Sequence, residues 1–385
     1  MPDGIPLEFV LFGLTLLGVA VWHESTLAVA LSGLGALVLL KLTTQPGYGL
    51  AAHFAHEAPV LVNLFGLLLG FALLARHFEL SELPDLLPQV LPDSWVGNLV
   101  LLALVFLMSA FLDNIAAAMI GGTVAKHLYK GRVDVGFLAA IVAASNAGGA
   151  GSVLGDTTTT MMWIAGVGWT QVLHAYLAAI PALLFFGVVA ARQQQRTQPI
   201  QHDAKPGAQL RPRHLVASLL ILSGAIAANV GIDFPAAGVW AAIVIAAFFA
   251  RTDWAVLRGA LKGAAFLLAL VACASLMPVE RLPAASWQHT LGLGFLSAVF
   301  DNIPLTKLAL DQGGYDWGML AYSVGFGGSM IWFGSSAGVA IAGSFPEAKS
   351  VGLWLRRGWH VAAGYLIGFA CLMATAGWLP HPLHR

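Results

Sequence analysis

Apolar runs follow one another along nearly the whole chain, separated by short polar stretches. Most are 16–25 residues long, about enough for a helix to cross ~30 Å of hydrocarbon. Alternating segments of about ten residues, the mark of an outer-membrane barrel, are absent. The pattern predicts an all-α polytopic membrane protein. Helices are expected at 6–22, 27–41 and 59–75, followed by a Pro- and Glu-containing interfacial stretch at 76–96. Two longer apolar segments, 98–128 and 136–168, and a helix at 171–191 close a first half, 1–191. A polar linker is expected at 192–213, Lys205-Pro206-Gly207 included. The second half, 214–385, repeats the order, with helices at 214–230, 235–250 and 261–278, long segments at 288–311 and 318–345, and a helix at 359–379.

The long segments carry polar phrases that recur. Ser109-Ala110-Phe111-Leu112-Asp113-Asn114-Ile115 returns as Ser297-Ala298-Val299-Phe300-Asp301-Asn302-Ile303. Each copy puts a carboxylate and an amide inside an apolar run. A charge at membrane depth costs roughly 2.5–3.5 kcal/mol on insertion scales, so such a residue is a functional candidate. The other pair of segments is interrupted at Ser145-Asn146-Ala147-Gly148-Gly149 through Gly155-Asp156-Thr157 and at Gly327-Gly328-Ser329 through Gly334-Ser335-Ser336. The pattern Gly-Gly-small-x4-Gly is common to both. A duplicated chain with polar breaks at depth is the plan of a secondary transporter.

Basic residues choose the topology, because they collect on the cytoplasmic side. With the Asp-Asn segments as re-entrant hairpins, each half crosses five times and the halves are inverted. One face then collects Arg76, Lys126, Lys130, Arg132, Arg192, Arg196, Lys205, Arg211, Arg213, Arg251, Arg258, Lys262, Lys349, Arg356 and Arg357, fifteen of the nineteen basic residues. The other face keeps Lys41, Arg281, Lys307 and Arg385. Exchanging hairpin and broken helix in the first half gives twelve against seven. The better arrangement places both termini outside.

Broken helices leave backbone groups unpaired and are tolerated at depth only where they line a cavity or bind something. The glycines at 148, 149, 151, 155, 327, 328 and 334 are expected to take positive φ and approach a ligand. Pseudo-symmetry brings hairpin tips to breaks. The expected shell is Asp113, Asn114, Ser145, Asn146, Gly148, Gly149, Asp156, Thr157, Thr158, Asp301, Asn302, Gly327, Gly328, Ser329, Ser335 and Ser336. Asp113, Asp156 and Asp301 are the proton- and cation-coupling candidates. Na⁺ is expected at Asp113, Asn114, Asn146, Asp156, Asp301 and Asn302. Hard oxygen donors suit such a cation, and a buried, uncompensated carboxylate also keeps a proton readily. One site that takes either Na⁺ or H⁺ is a minimal exchanger. Asp156-Thr157 faces Ser335-Ser336 in the other break, which makes Asp156 the leading candidate for the switch. Lys307 either snorkels out or pairs with Asp301 or Asp311.

Simpler roles compete. An Asn or Ser in a membrane helix commonly hydrogen-bonds a neighbouring helix, and Thr157 to Thr160 can back-bond to helix carbonyls. His23, His53, His56, His77, His127, His289 and His360 fall at segment ends, where interfacial anchors sit; the twelve Trp read mainly as an interfacial belt, with Trp163 and Trp332, close to the breaks, as packing residues.

Composition narrows the field further. Charged residues make up 10% of the chain and hydrophobic ones 58%, against about 25% charged in a soluble domain. Net charge is zero, so no basic footprint for nucleic acid exists. Cys273 and Cys371 lie in apolar runs without disulfide or metal spacing. Asp3 and Glu8 flank the first run, which reads as a retained helix rather than a signal peptide. No nucleophile–base pair is visible at depth, which argues against an intramembrane enzyme. No cofactor is expected; Na⁺ and H⁺ are cargo.

At Leu112-Asp113-Asn114, Asn146-Ala147-Gly148-Gly149, Gly155-Asp156-Thr157-Thr158-Thr159, Met161 and Gly327-Gly328-Ser329 through Gly334-Ser335-Ser336-Ala337-Gly338-Val339 the chain resembles the ion transporter superfamily. Within it the phrases are similar to those of NhaD-type sodium/proton antiporters, and the whole chain also resembles a bacterial group described as citrate transporters. The resemblance implies a transport domain of two hairpins and two discontinuous helices, with the remaining helices as scaffold. It further implies elevator movement, a homodimer and a bacterial inner-membrane location. In the divalent-anion branch the tips carry Ser-Asn-Thr. Here they read Leu-Asp-Asn and Phe-Asp-Asn, and an ionised Asp would repel citrate. The expectation is Na⁺(Li⁺)/H⁺ antiport by alternating access. Its rivals are Na⁺- or H⁺-coupled citrate or dicarboxylate transport and metalloid oxyacid efflux.

Overall fold

The computed structural model describes residues 5–22, 25–86, 91–201 and 209–382. Asp3, His23, Lys205-Pro206-Gly207 of the expected linker, and Arg385 lie outside the described residues. Within them the chain is helical, without strands. The helices are α1 (Leu7–Val21), α2 (Thr26–Thr44), α3 (Leu50–Leu80), α4 (Leu83–Leu86), α5 (Trp95–Ser109), α6 (Asn114–Leu128), α7 (Val135–Ala150), α8 (Thr157–Ile164), α9 (Trp169–Leu173) and α10 (Tyr176–Thr197). They continue as α11 (Pro212–Ile232), α12 (Pro235–Ala247), α13 (Val256–Ser275), α14 (Trp287–Ser297), α15 (Asn302–Gln312), α16 (Trp317–Gly327), α17 (Ser336–Ser344), α18 (Val351–Arg357) and α19 (Trp359–Thr375).

Among the described residues α2, α3, α9–α10, α11 and α13 are each long and apolar enough to cross a membrane. The bent pair α18–α19 makes a sixth span if counted as one. The chain is therefore a multi-pass helical membrane protein. Helices α1, α5, α7 and α12 are apolar but shorter.

Two helices run furthest past an expected end. α3 begins at Leu50 rather than 59, with Pro59 inside it, and α10 runs through Arg192–Arg196 to Thr197, into the expected linker. Hydropathy marks where the bilayer contact ends, not where the helix ends. Arg and Gln are good helix formers, so α10 persists until Gln198, which is extended before Pro199.

Each long polar-marked segment is two helices with a gap. The gaps are 110–113 between α5 and α6, 151–156 between α7 and α8, 298–301 between α14 and α15, and 328–335 between α16 and α17. The cause is local. Asp and Ser side chains compete with the helix for nearby N–H groups and favour a helix start over a helix interior. Every residue of α7 and α16 is buried, and the two helices pack on each other at the centre. Around them lie α5, α10, α14 and α19. Small residues let α10 and α19 approach closely: a Cβ at Gly368 would press on the Ala178 carbonyl at 2.5 Å. A second group is built on α3 and α13, which carry α1, α2, α11 and α12. The groups touch through α13–α15 and α3–α8.

Candidate ion-binding site

All four gaps end in a side-chain helix cap. Asp113 Oδ2 accepts from Ile115 N–H at 3.3 Å and Asp301 Oδ1 from Ile303 N–H at 3.0 Å. Asp156 Oδ1 accepts from Thr158 N–H at 2.9 Å, and Ser335 Oγ from Gly338 N–H at 3.3 Å. Each cap holds its residue at a helix N-terminus, whose partial positive charge favours an anionic side chain.

The caps belong to a buried polar network. Asn114 Nδ2 donates to Asn146 Oδ1 at 3.0 Å and to Asp156 Oδ2 at 3.2 Å. Asn146 Nδ2 donates to Ser329 Oγ at 2.9 Å and Ser335 Oγ at 3.1 Å. Hydrogen bonds thus run from Asp156 through both amides to the gap in the other half. Asn114, Asn146, Asp156, Ser329 and Ser335 are all buried. On the other side Ser336 Oγ approaches Asp301 Oδ2 at 3.5 Å. Asn302, the counterpart of Asn114, is buried with its Nδ2 unpartnered, as is Thr158 Oγ1. The asymmetry has a sequence cause. Two residues before Gly148-Gly149 stands Asn146; two before Gly327-Gly328 stands Gly325. The second half lacks the bridging amide.

A cavity of about 430 Å³ reaches this cluster. Asp113, Asn114, Asp156, Thr157, Asn302 and Ser336 line it at depth, and Glu79, Gly259 and Gly263 line it elsewhere. Its apolar wall comes from Leu64, Leu67 and Phe71 of α3. No Lys or Arg is among its described lining residues. Lys307 pairs with Asp311 at 2.7 Å and with Glu57 at 2.9 Å rather than with Asp301.

Other hydroxyls around the first gap bond to backbone carbonyls. Ser145 Oγ back-bonds to Val142 O at 2.9 Å. Thr159 donates to Ser152 O at 2.6 Å and Thr160 to Val153 O at 2.9 Å, fastening the gap to α8. The expectation of positive φ at the gap glycines fails: among the described residues the positive-φ glycines are 47, 131, 166, 313, 314 and 377. Gly148, Gly155 and Gly327 serve close backbone crossings, where a Cβ would collide with the carbonyls of Phe106, Ser109 and Gly294. Gly149 and Gly328 lie against Gly155 and Gly334 in the same way, with a Cβ only 2.6 and 2.8 Å from their carbonyl oxygens. His77 and His360 are buried within the protein. His77 Nδ1 lies 3.1 Å from His214 Nδ1, and His360 Nε2 lies 3.2 Å from Gln193 Oε1.

Sequence reasoning missed the groups that tie off the interrupted helices. Ser109 donates to the Ser145 carbonyl at 2.5 Å and Ser297 to the Val324 carbonyl at 2.6 Å, the same bond in each half. Both serines open the repeated phrase, which was the available signal. Tyr176 donates to Gly148 O at 2.9 Å and Trp354 to Ser329 O at 3.2 Å. Nothing local in the sequence marks either.

No family model matches the chain. It is similar to several curated proteins. Sodium/proton antiporter 1 of Arabidopsis thaliana is 24% identical over 446 aligned positions, covering 97% of this chain and 72% of that protein. The Na(+)/H(+) antiporter NhaD of Vibrio parahaemolyticus is 26% identical over 300, covering 63% of this chain and 72% of its own. That of Alkalimonas amylolytica is 26% identical over 343, covering 71% and 67%.

Proposed function

We propose that this chain, which is similar to NhaD-type sodium/proton antiporters over much of its length, is a Na⁺(Li⁺)/H⁺ antiporter working by alternating access. One observation carries the reading. A buried network of Asp156, Asn114, Asn146, Ser329 and Ser335 adjoins a cavity that also meets Asp113 and has no basic residue among its described lining. Oxygen donors and carboxylates bind a hard cation, and a proton neutralises the same carboxylates when the cation leaves. Asp156 and Asp113 exchange the two; Asp301, paired with Ser336, assists. Asn114, Asn302, Thr157, Thr158 and Ser336 complete the coordination, and Asn146 ties the two halves together.

The architecture that goes with this reading is an inverted repeat of five crossings per half. In the first half they are α1, α2, α3, α7–α8 and α10. In the second they are α11, α12, α13, α16–α17 and α19. α5–α6 and α14–α15 are the re-entrant hairpins. The group around α7 and α16 moves as the transport unit, α10 and α19 with it, against a scaffold of α3, α13 and their neighbours. The Glu79–Gly259 part of the cavity lies beside Arg76, Arg258 and Lys262, so the basic-residue bias makes that opening cytoplasmic. Both termini then lie outside, the membrane is the bacterial inner membrane, and the scaffold carries the homodimer contact.

Carboxylate symport has one observation on its side: the unpartnered Asn302 Nδ2 is a donor suited to an oxygen anion. Sealed proteoliposomes with an internal pH dye and an imposed pH gradient separate the two. Collapse of the gradient on adding Na⁺ or Li⁺ alone establishes exchange. No response to cations, with labelled citrate accumulating only when Na⁺ or H⁺ is supplied, removes the antiport reading.

A further inference from the structure

Lys307 and Glu57 form an ion pair that no part of the ion site requires. Lys307 sits on α15, five residues after Asn302 at the site, so about 7.5 Å along one rigid helix separates them. Glu57 sits on α3. Nζ lies 2.9 Å from Glu57 Oε2 and 2.7 Å from Asp311 Oδ1, and the Lys307 and Glu57 side chains are only 8% and 12% exposed. Beside the pair, and near His53, Phe300 and Leu308 pack against the apolar cluster holding Leu270, Ala274 and Met277 of the α13 region. Apolar contacts have no direction and can slide. A buried ion pair with good geometry has one register and is strongly unfavourable to break, because a charge is left unpaired at depth.

We infer that the Glu57–Lys307 pair is a conformational latch, with both as positioning residues for transport. The inference rests on the proposed movement of the α7/α16 group, α15 included, against α3 and α13. Asp311 travels with Lys307 on α15 and keeps the ammonium compensated throughout. Glu57 stays behind, so the contact distinguishes this state, with its cavity reaching Glu79 and Gly259, from the opposite one. Removing the Glu57 charge weakens this state and relieves the other, both in the same direction.

The test uses Gly259→Cys as a reporter in a Cys273→Ala/Cys371→Ala background. Gly259 lines the cavity, and a Cβ there meets nothing within 4 Å. In inside-out vesicles, Glu57→Gln should lower labelling by a membrane-impermeant maleimide at least threefold. Unchanged labelling overturns the latch. In a second arm Glu57→Cys/Lys307→Cys is bridged by a short bifunctional methanethiosulfonate. Bridging should slow exchange at least tenfold, with recovery in reductant. Full exchange by protein shown by mass spectrometry to be bridged also overturns it. Absence of exchange in the unsubstituted protein instead removes the antiport reading and leaves the labelling arm standing.

Discussion

Replacing Asp156 by Asn separates the charge of this residue from its structural role. Asn caps a helix about as well as Asp, so an oxygen still accepts from Thr158 N–H, a bond now 2.9 Å long. The new amide nitrogen then faces Asn114 Nδ2 where Oδ2 accepts at 3.2 Å. One hydrogen bond is lost, about 1 kcal/mol. The cation loses far more. A unit charge about 4 Å away at an effective dielectric of ~20 contributes ~4 kcal/mol, about a thousandfold in affinity. Asp156→Asn should therefore purify folded, with a melting temperature only slightly lowered, and lose Na⁺-driven dissipation of a pH gradient in proteoliposomes. Dissipation at the parent rate, with the parent half-saturating Na⁺, refutes the role assigned to Asp156. A collapsed melting curve refutes the separation of cap from charge.

Other consequences follow from the same geometry. Asn146→Ala removes three hydrogen bonds; at about 0.6 kcal/mol each in membrane proteins, reversible unfolding should show a loss of about 2 kcal/mol. Asn302→Ala should leave stability almost unchanged, since its Nδ2 has no partner to lose, while raising half-saturating Na⁺ in the proteoliposome assay. Asn114→Ala should raise it too, and also cost about 1 kcal/mol of stability for its two bonds. Gly155→Ala drives a methyl into the Ser109 carbonyl and should cost about 1–3 kcal/mol or more; Gly259→Ala, with open space, is the neutral control in the same melting experiment.

The recurring Asp-Asn phrase and the Gly-Gly phrases mark all four gaps, because a polar residue in an apolar run has few reasons to be there. Helix ends were less legible. Arg192–Arg196 looks like a linker by polarity, but its residues prefer helix. A glycine-rich phrase suggests freedom of φ, yet at 148, 155 and 327 what matters is a backbone crossing from a distant segment. The same holds for Tyr176, Trp354 and Glu57: each meets its partner through tertiary packing, across sequence distances that leave no local pattern.

A helix cap is indifferent to much of what an ion site cares about. Ser, Asp, Asn and Thr all serve at such a position with similar stability. Asp156 and Ser335 already occupy equivalent caps in the two halves with different charge. Substitution at these four positions can therefore add or remove a negative charge beside the proposed ion site while the fold is preserved. The scaffold of gaps is open to evolutionary drift in what it carries, one residue at a time, without passing through an unfolded ancestor.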